Sequence, residues 1–371
     1  MTLLLDPPAP APAYRPTLDD VWRAALPNAA EIRRGRRRLH LKALFIASLT
    51  LASYWALVIA DFSWYLRLGF AGVLVVALTA VGTGIMHDAN HGSFSRVPWI
   101  NRSLAYSMDF LGGSSWLWRF KHNHLHHGNP NVSGFDTDID QAPFARLAPD
   151  QPWKPWHRGQ HIYLWFLYGF MNLKNLLVGD FGNLATGRMG AADAQVLRDK
   201  PNRSVVTRAI IGKVVHVSWA VVIPLMFNPW KTVLLFYVVI SWLVGFVLAV
   251  VFQLAHCVDA ADFPAAAEAR RGEDFVAFQM RTTVDIHSSA PIVGPMFRWL
   301  AGGLDHQVEH HLAPRLPHTM YPMIGERFGE MCREAGLLHR QHATIWSALC
   351  SHTRWLKAMG QPTSATATSA V

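Results

Sequence analysis

The sequence predicts an all-α integral membrane protein in which four transmembrane helices form two hairpins beneath a cytosolic helical cap. Charged residues make up 16% of the 371 residues and apolar residues 51%, whereas about 25% of an average soluble domain is charged. Four apolar stretches approach the roughly 20 residues that cross a bilayer. Several of the 19 histidines directly follow these stretches, which indicates that the cap holds metal ions through histidine side chains.

Residues 1–40 are predicted to form an N-terminal segment that is first disordered and then basic and amphipathic. Its opening residues are rich in Pro and Ala, and five arginines lie between positions 33 and 38. Because Lys and Arg are enriched in short cytoplasmic segments of membrane proteins, this run indicates a cytosolic N-terminus. The same rule accounts for the net charge of +9, so we expect no nucleic-acid partner.

The membrane domain is predicted over residues 41–330. Its spans cover about residues 43–60, 68–86, 209–227 and 232–255. Seven residues join the first two spans and four residues join the last two, so both turns should lie on one side of the membrane. Lys213 and His216 interrupt the third span, and Lys213 is expected to extend to the headgroups.

The remainder of the chain should then lie on the opposite side of the membrane, which the arginine bias assigns to the cytoplasm. This side holds both termini, the long segment between spans two and three, and the segment after span four. Residues 331–371 are expected to form a C-terminal helix and a disordered tail. The predicted location is therefore a multi-pass protein of the cytoplasmic (inner) membrane with a cytosolic active site.

Histidines cluster at four places near the predicted cytosolic ends of the spans. Their motifs are HDANHGS after span two, HNHLHHG, FQLAH at the end of span four, and HQVEHHLAP. On an α helix His87 and His91 share a face, as do His122 and His126, whereas His127 is turned by about 100°. The candidate ligands are His87, His91, His122, His126, His127, His256, His310 and His311.

Eight imidazoles exceed the four ligands of one zinc site and indicate two metal ions with open positions. Imidazole alone suits iron, copper, zinc or nickel. His306, four residues before His310, and Gln307 are possible additional ligands. Carboxylates beside the clusters can accept the distal N–H of a ligating histidine; these are Asp88, Asp136, Asp138 and Glu309. Ordinary surface or core roles are expected for His40, His157, His161, His216, His339, His342 and His352.

The three larger motifs resemble the histidine boxes of the membrane fatty acid desaturase family. A third box that begins with glutamine is similar to the front-end, linoleoyl-CoA-desaturase-like branch, and the resemblance covers roughly residues 40–330. It implies four spans, a cytosolic cap with a diiron site, and the eight histidines as iron ligands. Gln307 stands where relatives with an HxxHH third box have histidine.

The resemblance implies that O2 is activated at the reduced iron pair and that two hydrogens are removed from adjacent methylenes of a long-chain fatty acyl substrate. The products would be a double bond and water. An apolar tunnel would select the reacting methylene by positioning, and side chains of spans two and four are candidate walls. The acyl group could be carried by coenzyme A, a carrier protein or a membrane lipid.

Nothing in the sequence resembles the haem donor domain fused to many front-end relatives, so an external donor such as ferredoxin with its reductase is implied. One alternative is hydroxylation, acetylenation or oxidative decarboxylation of an acyl chain by the same centre. A second alternative is a histidine-rich metal transporter or sensor. A transporter would place ionisable residues inside its spans, but spans two and four contain none.

Overall fold

A computed structural model of the protein describes residues 16–189, 195–196, 201–265, 273–288 and 290–362. This part of the chain is mostly helical, as predicted. Its α helices are α1 (Leu18–Ala25), α2 (Ala29–Val58), α3 (Trp64–Ala80), α4 (His87–His91), α5 (Pro98–Ala105), α6 (Ser107–Phe110), α7 (Ser115–Phe120), α8 (Gln160–Tyr168), α9 (Met171–Lys174), α10 (Asp180–Thr186), α11 (Arg203–Val217), α12 (Ile223–Leu225), α13 (Trp230–His256), α14 (Phe275–Thr282), α15 (Val293–Ala301), α16 (Gln307–Leu312), α17 (Tyr321–Glu334) and α18 (Ile345–Met359).

Shorter elements connect these helices. Wider π turns occupy Val81–Met86, Lys121–His126, Asn175–Gly179 and Ser218–Val222, and 3-10 turns occupy Pro155–Gly159 and His318–Met320. Strand β1 (Arg188–Met189) pairs antiparallel with β2 (Gln195–Val196), and β3 (Asp285–Ile286) pairs parallel with β4 (Gln341–His342). The start of the predicted disordered segment and the predicted disordered tail lie outside the described residues.

Four helical segments are long and apolar enough to cross a membrane, which confirms the predicted number of spans. Their bounds are Ala29–Val58, Trp64–His91, Arg203–Leu225 and Trp230–His256. Each begins earlier than its predicted span, because hydropathy marks the apolar window rather than the end of the helix. The first span begins at a capping box, in which Asn28 accepts from the Glu31 amide and Glu31 accepts from the Asn28 amide. The arginine run is therefore helical and continuous with the first span.

The second span is continuous from Trp64 to His91 but contains the π turn Val81–Met86. Such wide turns occur often at functional sites, and this one immediately precedes His87. Gly92 ends α4 with a φ of 74°, a left-handed conformation that glycine adopts without a steric penalty. The backbone thus turns away directly after His91.

The third span carries its polar side chains toward the protein interior. Lys213 is buried and donates to the Asp180 carboxylate at 2.5 Å and to the Gly112 carbonyl at 2.5 Å. His216 Nδ1 lies 2.8 Å from the Phe110 carbonyl. The expectation that Lys213 extends to the headgroups is wrong, because Asp180 gives its charge a buried partner.

Further helices pack on one another and on the spans. α1 packs on α17, where the rings of Trp22 and Phe328 meet edge to face. α18 packs on α8 and α13, and there the His352 ring bonds both the Tyr168 hydroxyl and the Cys257 carbonyl. α14 and α17 in turn pack on α16, the helix that carries His310 and His311.

Candidate metal centre

The structure brings the four histidine motifs together. α4 carries the first pair at the end of the second span, and α13 ends at His256. The π turn Lys121–His126 and the residue after it carry the HxxxHH motif, and α16 carries the last pair. All eight candidate histidines are buried. Residues up to 224 positions apart in the chain, such as His87 and His311, therefore share one interior site.

The ligand nitrogens form two neighbouring groups. Within each group, one nitrogen per residue lies within 4.8 Å of the others. The first group is His87, His91, His122 and His310. The second group is His126, His256 and His311. His127 lies between them: it groups with His310 and His311, and its Nε2 is 3.2 Å from Nε2 of His122.

The π turn explains why the HxxxHH motif serves both groups. An α helix would put His122 and His126 on one face and turn His127 away. In the π turn the His127 amide bonds the His122 carbonyl, five residues earlier. The His122 and His127 rings consequently approach each other edge to face at 4.8 Å, while His126 belongs to the other group. The predicted α helix is a π turn here, so the His122 ring lies next to His127 and also stacks on His126 at 5.2 Å.

The chemistry of the buried nitrogens fits a pair of metal ions. A buried polar atom without a partner costs about 1–3 kcal/mol, and native proteins rarely leave such atoms clustered. A cation would satisfy these nitrogens at once. Among the eight candidate ligands, the buried ring nitrogens without a hydrogen-bond partner in the described structure are Nε2 of His87, His91, His126, His310 and His311, and Nδ1 of His127 and His256.

The electrostatic surroundings favour neutral imidazoles with a free lone pair. Burial, together with neighbouring rings, holds the pKa of His127, His310 and His311 well below its usual range. Burial also opposes the charged form of His126, but Asp136 outweighs it and raises the pKa of that ring. Asp136 lies 3.0 Å from His126 Nδ1, which fixes the tautomer and makes Nε2 a stronger ligand.

Two of the four predicted carboxylates approach candidate ligands. Besides Asp136, the Asp138 carboxylate lies 3.6 Å from His122 Nδ1 and 2.7 Å from the Lys121 ammonium. Burial would raise the pKa of Asp138, but Lys121 and His122 hold it well below its usual range. Asp138 therefore remains an acceptor beside the first group.

The other two predicted carboxylates have different neighbours. Asp88 lies 3.0 Å from Nδ1 of His318, a histidine outside the predicted motifs. The Glu309 carboxylate lies close to Asp285 and His339 and has no hydrogen bond to a candidate ligand among the described contacts. Neither carboxylate therefore orients one of the eight candidate rings through a described hydrogen bond.

The two possible additional ligands are separated by the structure. The Gln307 amide nitrogen lies 2.7 Å from His256 Nε2, and its buried Oε1 has no partner in the described structure. Gln307 therefore borders the second group. His306 instead lies near acidic side chains, with Nδ1 3.8 Å from Glu309 and Nε2 3.8 Å from Asp305. The structure does not bring His306 to the histidine centre.

Two contributors to the centre had no sequence signal. Gln279 accepts from His311 Nδ1 at 2.8 Å and donates to the His127 carbonyl at 3.1 Å. The Tyr321 hydroxyl lies 3.4 Å from His310 Nδ1. A lone glutamine and a lone tyrosine in ordinary helices carry no spacing pattern, so only the fold reveals that they orient ligand rings.

An open cleft borders the first group at His87 and His122. The second span contributes Met86 and the fourth contributes Leu248 and Phe252, as the sequence predicted for tunnel walls. α8 adds a wall that was not predicted, formed by Leu164, Leu167 and Tyr168. The cleft thus combines an apolar lining with direct access to the histidines.

Comparison with known proteins identifies this arrangement. The family model described as fatty acid desaturase matches residues 62–343, a range that includes all eight candidate histidines. The chain belongs to the fatty acid desaturase family. The predicted family and activity are confirmed: this oxidoreductase is a fatty acid desaturase, and the transporter alternative is not supported.

Several relatives cover most of this desaturase. It is 32% identical to the sn-1 linoleoyl-lipid 6-desaturase of Synechocystis sp., over 87% of this chain and 89% of the relative. The protein of the same name from Arthrospira platensis is also 32% identical, over 86% and 85%. The acyl-lipid (8-3)-desaturase of Physcomitrium patens is 33% identical, over 86% of this chain and 66% of its own length.

Proposed function

We propose that this desaturase uses two iron ions, held by the eight histidines, to insert a double bond into a long fatty acyl chain carried by a membrane lipid. O2 is the co-substrate, and electrons come from an external donor such as ferredoxin with its reductase. The observation that carries the proposal is the convergence of eight buried imidazoles, seven of which have a nitrogen without a partner in the described structure.

The two groups of nitrogens support one iron in each. His87, His91 and His122 with His310 would hold the first ion, and His126 with His256 and His311 the second. His127 completes the set from its position between the groups, and Gln307 borders the second ion. His87 and His122 line the cleft, so a substrate in the cleft would lie beside the residues that would hold the first ion.

A lipid-linked substrate is supported by the relatives and by the cleft. The names of the relatives specify a linoleoyl lipid or an acyl lipid. The cleft is lined by residues of two membrane spans, so an acyl chain can enter it without leaving an apolar environment. Transfer of each methylene from such an environment into water would cost about 0.8 kcal/mol.

The membrane orientation follows from the turns between the spans. Residues 59–63 and 226–229 join the two pairs of spans, whereas the histidines follow the other ends of the second and fourth spans. We infer two hairpins with both turns on one side and the helical cap on the other. The arginines at the start of α2 assign the cap, the active site and both termini to the cytosol.

The side chains of this enzyme contribute positioning and a fixed electrostatic environment. When bound, the iron pair would supply the oxidising chemistry that activates O2 and removes two hydrogens from adjacent carbons. Asp136 and Gln279 hold two ligand rings in one tautomer. The apolar cleft fixes which methylene lies beside His87 and His122, and such positioning supplies up to about 7–11 kcal/mol of a barrier.

Lipid profiling tests the proposal. A host that lacks the expected unsaturated product is supplied with a ferredoxin and its reductase and expresses the wild type, His127→Ala or His310→Ala. A new double bond in a membrane lipid is expected only with the wild type. Identical profiles in all three strains, with the proteins present in equal amounts, would contradict it. A hydroxylated, acetylenic or chain-shortened product would indicate the alternative oxidation.

A further inference from the structure

A separate cluster of buried ionisable side chains lies beside α16. Asp285 belongs to β3, Glu309 to α16, and His339 lies two residues before β4. One ligand atom from each lies within 4.8 Å of the others. Asp285 and Glu309 are only 4% and 0% exposed. The desaturation chemistry uses none of these three groups, and none of them belongs to the two histidine groups.

The distances suit four-coordinate zinc. His339 Nε2 is 2.9 Å from Asp285 Oδ2 and 3.9 Å from Glu309 Oε1, and His306 Nδ1 is 3.8 Å from Glu309 Oε2. Tetrahedral zinc with ligands at about 2.0–2.2 Å separates those ligands by about 3.3–3.6 Å. His339 lies closer to Asp285 and farther from Glu309 than that range. His306 lies outside the group of atoms that meet within 4.8 Å, so its ring would have to move past Glu309 toward Asp285 and His339 to complete the site.

The Glu309 carboxylate supplies an independent indication of a ligand. Both of its oxygens are buried and have no hydrogen-bond partner in the described structure, although the side chain points into the cluster. A buried carboxylate beside a second carboxylate requires a compensating charge. Asp285 Oδ1 accepts from the Val308 amide at 2.9 Å, and Oδ2 is hydrogen-bonded to His339 Nε2 at 2.9 Å. A cation would therefore take the place of the proton between Oδ2 and Nε2.

We propose that Asp285, Glu309 and His339, with His306 as the fourth ligand, form a structural zinc site. Two imidazoles and two carboxylates match the ligand types and the closed geometry of structural zinc, and their charges balance a divalent cation. The ion would join α16 to the small parallel sheet of β3 and β4. It would thereby hold from outside the helix that carries His310 and His311.

Metal analysis of the full-length protein in detergent tests the proposal. The protein is produced with zinc and iron in the medium, and both metals are measured per chain. We expect about one zinc per chain, lost in His339→Gln and Asp285→Asn. The control His342→Gln replaces a buried histidine of β4 outside the cluster and should retain the zinc. His126→Ala should lose metal from the histidine centre and also retain the zinc.

The position of the metal separates this proposal from the proposed diiron function. Anomalous diffraction of wild-type crystals at the zinc edge should give a peak between Asp285 and His339, whatever metal the histidine centre holds. No peak there, or a zinc content that His339→Gln leaves unchanged, would overturn the proposal and indicate a proton shared by the carboxylates. If the wild-type protein shows the zinc peak but holds no iron at the histidine centre, the diiron function is contradicted and the zinc proposal stands.

Discussion

Gln279 joins His311 of the second group to the backbone of His127 through a single buried side chain, and its replacement by leucine gives a sharp test of the site. Leucine has a similar size but cannot accept from His311 Nδ1 or donate to the His127 carbonyl. Each buried group left without a partner costs about 1–3 kcal/mol, so the protein should lose about 2–6 kcal/mol of stability. Loss of such a ligand-orienting partner lowers metal affinity or activity by about 10–100-fold.

The matched control is Gln160→Leu. Gln160 is also fully buried, and its amide donates to the Arg146 and Leu356 carbonyls at 2.9 Å, but it contacts no candidate ligand among the described hydrogen bonds. Both variants should lower the melting temperature in detergent, and only Gln279→Leu should lower iron content and turnover. Wild-type iron content and turnover in Gln279→Leu, or equal iron loss in Gln160→Leu, would refute the reasoning.

Three further predictions concern stability. Lys213→Met should lower the free energy of unfolding by about 3–5 kcal/mol because Asp180 then stays buried without its partner. Adding Asp180→Asn to the same chain should restore part of the melting temperature. An unchanged melting temperature in Lys213→Met would contradict this. Gly302→Ala should be destabilising because Gly302 has a φ of 64° and a Cβ would overlap the Thr83 carbonyl, whereas the control Gly69→Ala meets nothing within 4 Å. Burial lowers the pKa of His352 to about 4, whereas the pKa of a histidine in the unfolded chain is about 6.5. Above pH 6.5 the ring is neutral in both states. As the pH falls from about 6.5 toward 4, the unfolded chain takes up the proton first, and the free energy of unfolding should fall by about 3 kcal/mol. Thermal melts should therefore show a shallower acid-side loss in His352→Gln, and identical slopes would argue against it.

The sequence predicted the parts of this molecule that depend on local composition. Hydropathy identified four spans because a membrane helix needs a long apolar run. The histidine motifs predicted the eight candidate ligands because their clustering exceeds ordinary usage, and the structure brings these side chains together. The predicted positions of the helix ends were less accurate. For example, α2 begins at the Asn28 capping box, well before the apolar window that predicted the first span.

Features that depend on contacts between distant residues could not be predicted from the sequence. The π turn at Lys121–His126 changes which histidines face each other, and no local pattern marks it. Gln279 reaches His311 across 32 positions of the chain. Lys213 was expected at the headgroups because its partner, Asp180, lies 33 positions away. The sequence predicts an ordinary role for His339, because Asp285 and Glu309 approach it only in the fold.

The most direct test of the central claim is to locate iron in the intact enzyme. Anomalous diffraction at the iron edge should give two peaks, one among His87, His91, His122 and His310, and one among His126, His256 and His311. The peaks should disappear in parallel with desaturation when His127 or His310 is replaced by alanine. A single peak, or active enzyme without iron at either position, would contradict the account.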